Sequence, residues 1–339
     1  MPTRTYRICF LGFGNVNRTL LRLLEQKRGE LNERYDLAWQ LTGVASRRLG
    51  WIAAPQGLDA ETIADGWKPG SANVRNSIED WLGDARPDVL FEATSLNVAN
   101  GQPAVDYLRA GLEHGAHVIS ANKGPVVHAF RELTALAGQK GKRYLFEAAV
   151  MDGAPIFSLF RENLPAVELH AFYGILNSTT NVILTGVEQG LSFRQSLGKA
   201  QEIGVAETDP SHDVEGWDAA VKVAALITVL MGEPFPPQRV EREGIGSLTG
   251  DAVRQARAGG RPYKLVCRAR RSAGRIIASV KPEQVPATDP MAQISGTSSI
   301  ITFETDIFPA LTITETNPGV YTTAYGMLAD FIRAVRTQA

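Results

Sequence analysis

Residues 6–21 read YRICFLGFGNVNRTLL. A short apolar run, strand-like in length, is stopped by Gly12, and Gly14 follows two positions later. Leucines at helical spacing then run on through residue 31. A strand that ends in G-x-G and opens a helix is the first turn of a dinucleotide-binding βαβ unit. The first glycine permits a tight turn, the second lets backbone approach a pyrophosphate, and the helix N-terminus attracts the anion. The same pattern also describes a glycine-rich turn with no ligand, and Asn17 occupies the third glycine position of the fingerprint. The rhythm of the next hundred residues bears on that choice.

Strand-like and helix-like stretches alternate through the first half. LAWQLTGVAS (37–46), DVLFEAT (88–94) and HVISAN (117–122) read as strands, and PAVDYLRAGLEHG (103–115) as a helix between the last two. Such alternation predicts a parallel sheet with crossover helices, an α/β Rossmann-type domain. After YLFEAAV (144–150) the rhythm changes. Helical IFSLFREN, strand-like ELHAFYGIL and helical TTNVILTGVEQG precede an acidic segment, a long apolar helix and a β-rich tail from LVCRAR to ALTITE. The expectation is therefore a dinucleotide-binding domain over residues 1–150 and a second α+β domain over 151–318. Residues 319–339, with an amphipathic helix at 322–335, would complete the first.

Strand ends are where open α/β sheets hold ligands. EATS (92–95) and SANKGP (120–125) stand at two such ends, which places Thr94, Ser95 and Lys123 toward the nicotinamide side of a dinucleotide; an ordinary exposed turn is the competing reading for Lys123. The end of the second strand, VASRRLG, offers no acid for ribose hydroxyls. Arg47 and Arg48 stand there instead, suited to a 2′-phosphate and hence to NADP over NAD, or else to plain solvation.

AETDPSHDVEGWDAAVK (206–222) carries the chemistry. From Gly216 onward, apolar residues recur at helical spacing, and Asp218 and Lys222, four apart, lie on one side of that helix. An i, i+4 surface pair is the ordinary explanation. Against it stands the apolar character of the helix around the pair, with Glu207, Asp209 and Asp213 just ahead. Burial lowers a lysine pKa and neighbouring carboxylates raise it, so such a lysine can trade a proton near neutral pH. An alcohol dehydrogenation needs that transfer, and nearby carboxylates suit a substrate with an ammonium group.

The net charge of −1 gives no field to gather nucleic acid or an anionic membrane. Two cysteines, Cys9 and Cys267, are too few for a disulfide framework. Neither a signal peptide nor a membrane-spanning run is legible, so a cytoplasmic location is expected.

With these motifs the chain resembles the homoserine dehydrogenase family. G-F-G-N-V at 12–16, A-N-K-G-P at 121–125, E-A-A-V-M-D-G-A-P at 147–155, G-I-L-N-S-T-T-N at 174–181, E-T-D-P-S-x-D-V-x-G-x-D-A-A-x-K at 207–222 and T-A-Y-G-M-L-A-D at 323–330 carry the resemblance, in the family's order. It implies a NAD(P)-dependent oxidoreductase interconverting L-homoserine and L-aspartate 4-semialdehyde, in the biosynthesis of threonine, methionine and isoleucine. By matching position, Lys222 is the acid/base residue and Lys123 a second catalytic lysine near the nicotinamide. Glu207 and Asp218 bind substrate. Phe13, Asn15 and Val16 lie along the cofactor with Gly12 and Gly14, as does Gly319 from the C-terminal segment. Glu147, Val150, Asp152 and Ala154 match a monovalent cation site, for Na+ or K+, built largely of main-chain carbonyls. A homodimer joined through β-structure of the second domain is implied as well.

Departures from the family pattern are Asn17, Asp152 and Ser178, each where glycine is more usual, and T-N-P-G-V at 316–320 in the closing turn. No C-terminal regulatory domain is expected. A related amino-alcohol or amino-acid dehydrogenase, and a nucleotide-binding regulator without catalysis, are the alternatives.

Overall fold

The computed structural model describes residues 4–64, 74–75 and 77–336. The chain divides into two compact units, Met1–Pro155 with Val320–Ala339, and Ile156–Gly319.

Among the described residues the first unit carries seven strands: β1 (Arg4–Leu11), β2 (Leu37–Ser46), β3 (Gly50–Ala53), β4 (Val74–Arg75), β5 (Val89–Glu92), β6 (His117–Ser120) and β7 (Tyr144–Leu145), in the order β4-β3-β2-β1-β5-β6-β7. From β2 through β7 neighbours are parallel, while β3 and β4 extend one edge antiparallel. The central strands are buried because their runs are apolar on both faces; Ile8, Phe10, Val89, Leu90 and Phe91 are fully enclosed. Strand order reverses at β1, which lies between β2 and β5, and the crevice at such a reversal is where open sheets bind ligands.

The helical reading of residues 16–31 needs one correction. The structure has two helices, α1 (Asn15–Gln26) and α2 (Arg28–Tyr35), which meet at Lys27. Of residues 144–150, only Tyr144–Leu145 pairs with the sheet, and Glu147–Ala149 winds into a single tight 3-10 turn. Five helices complete this unit: α3 (Ala60–Ala64), α4 (Ile78–Ala85), α5 (Ala104–Glu113), α6 (Lys123–Gln139) and the C-terminal Val320–Val335. The last docks by its apolar stripe. Phe331, fully buried, meets the Phe91 and Tyr6 rings edge-on at 5.6 and 6.2 Å between centroids.

The second unit carries β8 (Leu169–Ile175), β9 (Glu241–Arg242), β10 (Tyr263–Ser272), β11 (Arg275–Gln284), β12 (Ser299–Thr305) and β13 (Leu311–Glu315), ordered β13-β12-β8-β10-β11-β9. All pairings are antiparallel except β11 with β9. IFSLFREN is helical as expected, but Leu159–Asn163 is wound as a π turn. Helices α7 (Ser178–Glu188), α8 (Phe193–Glu202), α9 (Ser211–Val214), α10 (Trp217–Leu230) and α11 (Gly250–Ala258) follow in chain order, with Val320–Val335 as α12. Helix α10 is buried nearly all round, from Ala219 to Thr228, as its uniformly apolar sequence demands. Among the described residues no helix is long and apolar enough to cross a membrane.

Candidate active site

In the first unit a cavity of about 680 Å³ opens at the C-terminal end of β1. Gly12, Phe13, Gly14, Asn15, Arg47, Arg48, Thr94 and Ser95 all line it, so the structure brings these eight sequence candidates together. Gly12 has φ +79°, and a Cβ there would stand 2.5 Å from the Ala93 carbonyl oxygen; only glycine fits this turn. At Gly14 a Cβ would meet nothing within 4 Å, so the backbone faces open space at the start of α1. No side chain caps that helix end and no acid stands in its first turn. Its leading N–H groups and the helix dipole therefore suit a phosphate anion.

Asn17 explains itself. It is fully buried, and its amide nitrogen donates to the carbonyl oxygens of Leu11 and Gly12 at 3.2 and 2.9 Å. The side chain ties the helix back onto the turn, where a glycine would have allowed closer packing instead. Val16 is half-buried and packs on the core beside the turn. Arg47 and Arg48 are exposed. Neither makes an ion pair with the described residues. Arg18, Trp51 and Tyr107 also line the cavity, and sequence reasoning missed them. Arg18 lies over the Phe13 ring at 5.5 Å, which holds its guanidinium beside the uncapped helix start.

Beneath this cavity lies Glu92, fully buried at the end of β5 and also missed. Thr94 donates to its Oε1 from both main-chain nitrogen, at 2.7 Å, and hydroxyl, at 2.6 Å. Thr94 lines the cavity, yet its hydroxyl points to this acid. Ser95 beside it is exposed. Lys123 is half-buried as the first residue of α6, a helix capped by the Asn122 side chain, and it is not part of the cavity lining.

Gly319 is exposed immediately before α12, in the second unit by chain division. The segment matched to a cation site lies in the first unit. There the Glu147 nitrogen donates to Asp330 Oδ2 at 2.7 Å, and the Glu147 carboxylate faces Arg333 at 3.3 Å. Asp152, at φ +49°, accepts from the Thr323 hydroxyl at 2.7 Å. Val150 is buried, and the Ala154 nitrogen closes a turn onto Met151. Both acids are thus engaged with side chains or backbone of their own unit. Among the described residues no group of three His, Cys, Asp or Glu side chains is arranged to hold a metal.

In the second unit Asp218 and Lys222 are the only charged residues of α10. Their side chains are 17% and 16% exposed, which rules out a solvated surface pair. Lys222 Nζ donates to the Leu176 carbonyl oxygen at 2.6 Å and lies 3.4 Å from Asp218 Oδ2. Leu176 and Asn177 follow β8, and Asn177 is the hub of this cluster. Its amide nitrogen donates to Asp213 Oδ1 at 2.6 Å and Asp218 Oδ2 at 3.0 Å, while its oxygen accepts from Thr180 and caps α7. Burial, and then the Asp218 charge, push the Asp213 carboxyl above its usual range. Gly216 at φ +80° starts α10 and sets the direction from which both charged groups leave it. Glu207 is exposed, and its carbonyl accepts from Gln201 at 3.1 Å; no described hydrogen bond draws its carboxylate into the cluster. Ser178 donates to the Thr297 carbonyl at 3.1 Å, which ties α7 to the segment before β12.

Such an arrangement holds a lysine amine on an apolar helix with the Asp218 carboxylate and the Leu176 carbonyl to steady it, as a proton-transfer group requires. Both parts of the chain also match known protein families. A family model described as homoserine dehydrogenase matches residues 155–332, and one described as homoserine dehydrogenase, NAD binding domain, matches 12–147. The chain is 34% identical to an NAD(+)-dependent homoserine dehydrogenase of Pseudomonas canavaninivorans, over 96% of this chain and 95% of that one. It is 31% identical to the homoserine dehydrogenase of Methanocaldococcus jannaschii, over 96% and 97%. Among solved structures, a hyperthermophilic archaeal homoserine dehydrogenase in complex with NADPH superposes with a TM-score of 0.80 at 26% identity, covering 98% of each chain.

Proposed function

This chain belongs to the homoserine dehydrogenase family, and we propose that it interconverts L-homoserine and L-aspartate 4-semialdehyde, with Lys222 carrying the proton. It is an NAD(P)-dependent oxidoreductase of amino-acid biosynthesis, placed at the branch toward threonine, methionine and isoleucine. The observation that carries the assignment of Lys222 is its burial beside Asp218 on an otherwise apolar helix.

When bound, a nicotinamide dinucleotide supplies the acceptor for the hydride that leaves the alcohol carbon. The residues of the first cavity fit such a group: Gly12 and Gly14 clear the turn, the uncapped start of α1 would hold a pyrophosphate, and Thr94 and Ser95, which line the cavity, would lie toward the nicotinamide. Arg47 and Arg48, exposed and without an acid nearby at the end of β2, favour NADP by pairing with a 2′-phosphate. In alcohol oxidation neutral Lys222 takes the hydroxyl proton; in aldehyde reduction its ammonium returns that proton to the nascent alkoxide oxygen. Asp218 and the Leu176 carbonyl steady the ammonium form so that both directions remain open. Lys123 acts as the second lysine, at the nicotinamide end. Glu207 and Asp218 hold the substrate's amino and hydroxyl ends, and Gly319 lines the cofactor.

A monovalent cation, Na+ or K+, would be held by main-chain carbonyls of the segment containing Glu147, Val150, Asp152 and Ala154, since the two acids there are otherwise engaged. The division of labour follows the two units, with cofactor binding in the first and substrate binding and dimerisation in the second. Edge strand β13 and the exposed Ile307 and Phe308 beside it support a homodimer. Two free, buried cysteines suit a reducing cytoplasm.

The test is direct. Purified protein with L-homoserine and NADP+ or NAD+ is assayed for reduced nicotinamide, with and without K+ or Na+, against Lys222→Ala. Absence of turnover above that control would refute the reading.

A further inference from the structure

Glu92 is a carboxyl group with no exposed surface at the C-terminal end of β5, opposite Leu11 of β1 and Ser120 of β6. An acid so placed is costly unless every lone pair is used. Here it accepts four hydrogen bonds. Three converge on Oε1, from the Thr94 nitrogen at 2.7 Å, the Thr94 hydroxyl at 2.6 Å and the Asn122 amide at 3.4 Å, and the Ser120 hydroxyl reaches Oε2 at 2.5 Å.

Those donors belong to two separate loops. Thr94 opens the loop after β5 that lines the dinucleotide cavity. Ser120 ends β6 and Asn122 lies in the turn after it. That turn is further tied by the Asn122 nitrogen donating to the Ser120 hydroxyl at 3.0 Å, and by the Asn122 amide donating to the Thr94 carbonyl at 3.4 Å. Asn122 then caps α6 by accepting from Gly124 at 3.0 Å, and Lys123 is the residue between the cap and that bond. Ala93, the residue after Glu92, also sets the wall against which Gly12 turns. A single buried acid therefore bonds directly to both loops.

We infer that Glu92 is a positioning residue for the dehydrogenase reaction: its carboxyl locks the Thr94 loop and the Lys123 helix start into one rigid frame at the nicotinamide end of the cavity. The inference rests on the proposed roles of Thr94 and Lys123. It assigns a job to a fully buried residue that does not line the cavity. Burial outweighs the four donors and raises the carboxyl pKa above its ordinary value.

Glu92→Gln keeps one acceptor oxygen for Thr94 and Asn122 but offers Ser120 a donor. Glu92→Asp keeps the carboxyl group and withdraws it by one methylene. Ser120→Ala removes only the bond to Oε2. Each is assayed at 25 °C, with thermal midpoint measured alongside, and amide hydrogen exchange is followed in peptides spanning 94–100 and 121–127 without substrate.

The expected result is a kcat lowered by about tenfold or more in Glu92→Asp, the size of loss that small misplacements produce. Glu92→Gln should fall less, Ser120→Ala least, and the KM for homoserine should stay within about threefold throughout. Faster exchange should appear in both loop peptides together. A lowered thermal midpoint with kcat within about twofold of wild type would leave Glu92 a purely structural acid and overturn the inference, as would faster exchange confined to one loop. Should wild-type protein not turn over homoserine at all, the functional proposal fails by itself, and the exchange data still decide whether Glu92 couples the loops. Ser120→Ala serves the same purpose if both Glu92 variants fail to fold.

Discussion

Lys222 Nζ lies 2.6 Å from the main-chain carbonyl oxygen of Leu176, so the proposed proton carrier is aimed by backbone as well as by its carboxylate neighbour. A carbonyl accepts from an amine in either protonation state, whereas Asp218, 3.4 Å away, favours the ammonium. Replacing Lys222 by Ala removes the carrier. Replacing it by Arg keeps the charge but supplies a group that does not release its proton at accessible pH. Both variants should lose about 10²–10⁴ in kcat, the usual share of acid–base catalysis. Steady-state rates between pH 7 and 9 check this, and an active Lys222→Arg enzyme would remove the lysine from the chemistry.

Asp213 gives a pH dependence whose sign follows from its surroundings. Its carboxyl is pushed above the usual range by burial and by Asp218. A folded pKa above the unfolded one means that stability is lost as pH rises from the unfolded value through the folded one, with the full cost present above the folded value. Asp213→Asn retains an oxygen for the Asn177 amide and has no charge to bury. Its thermal midpoint should therefore exceed wild type by a few degrees at pH 7, with the gap closing toward pH 4. A gap that widens on acidification would contradict the direction of the shift.

Cofactor preference is assigned to Arg47 and Arg48, which line the cavity without ion-pair partners among the described residues. Charge-assisted hydrogen bonds contribute about 1.5–3 kcal/mol each. Arg47→Ala with Arg48→Ala should lower kcat/KM for NADP+ by about 10²-fold or more and leave NAD+ nearly unchanged. Equal losses with both cofactors would place the arginines elsewhere than on a 2′-phosphate.

The sequence made some of this plain and hid the rest for physical reasons. Helix α10 and strand β2 have the bounds that their apolar patterns predict, because each is decided by local periodicity. The G-x-G turn is legible since only glycine tolerates φ +79° against the Ala93 carbonyl. By contrast, the Leu176 carbonyl is a main-chain group with no signature of its own. Glu92 was visible as a letter, but its burial depends on three strands meeting, and Asn177 bridges Asp213 and Asp218 across 36 and 41 residues. The antiparallel edge of β3 and β4 escaped for a simpler reason, since strands of four and two residues carry no period.

Gly153 sits where the turn after the 3-10 segment meets α12. A Cβ at that position would lie 2.3 Å from the Thr322 carbonyl oxygen, and a Cβ on Gly326 would lie 2.9 Å from the Gly153 Cα. Both obstacles are backbone, so a methyl group cannot be accommodated by a side-chain rotation. The helix would have to move, loosening the Asp152–Thr323 hydrogen bond and the packing of Phe331 on Phe91. Gly153→Ala should cost about 1–3 kcal/mol, as overpacking does elsewhere. Gly138→Ala, in α6 with nothing within 4 Å of the added carbon, should be neutral or stabilising by up to about 1 kcal/mol. Urea unfolding of the two variants beside wild type gives the comparison. If Gly153→Ala unfolds at the same midpoint as Gly138→Ala, the close approach of α12 to this turn does not hold the first unit together.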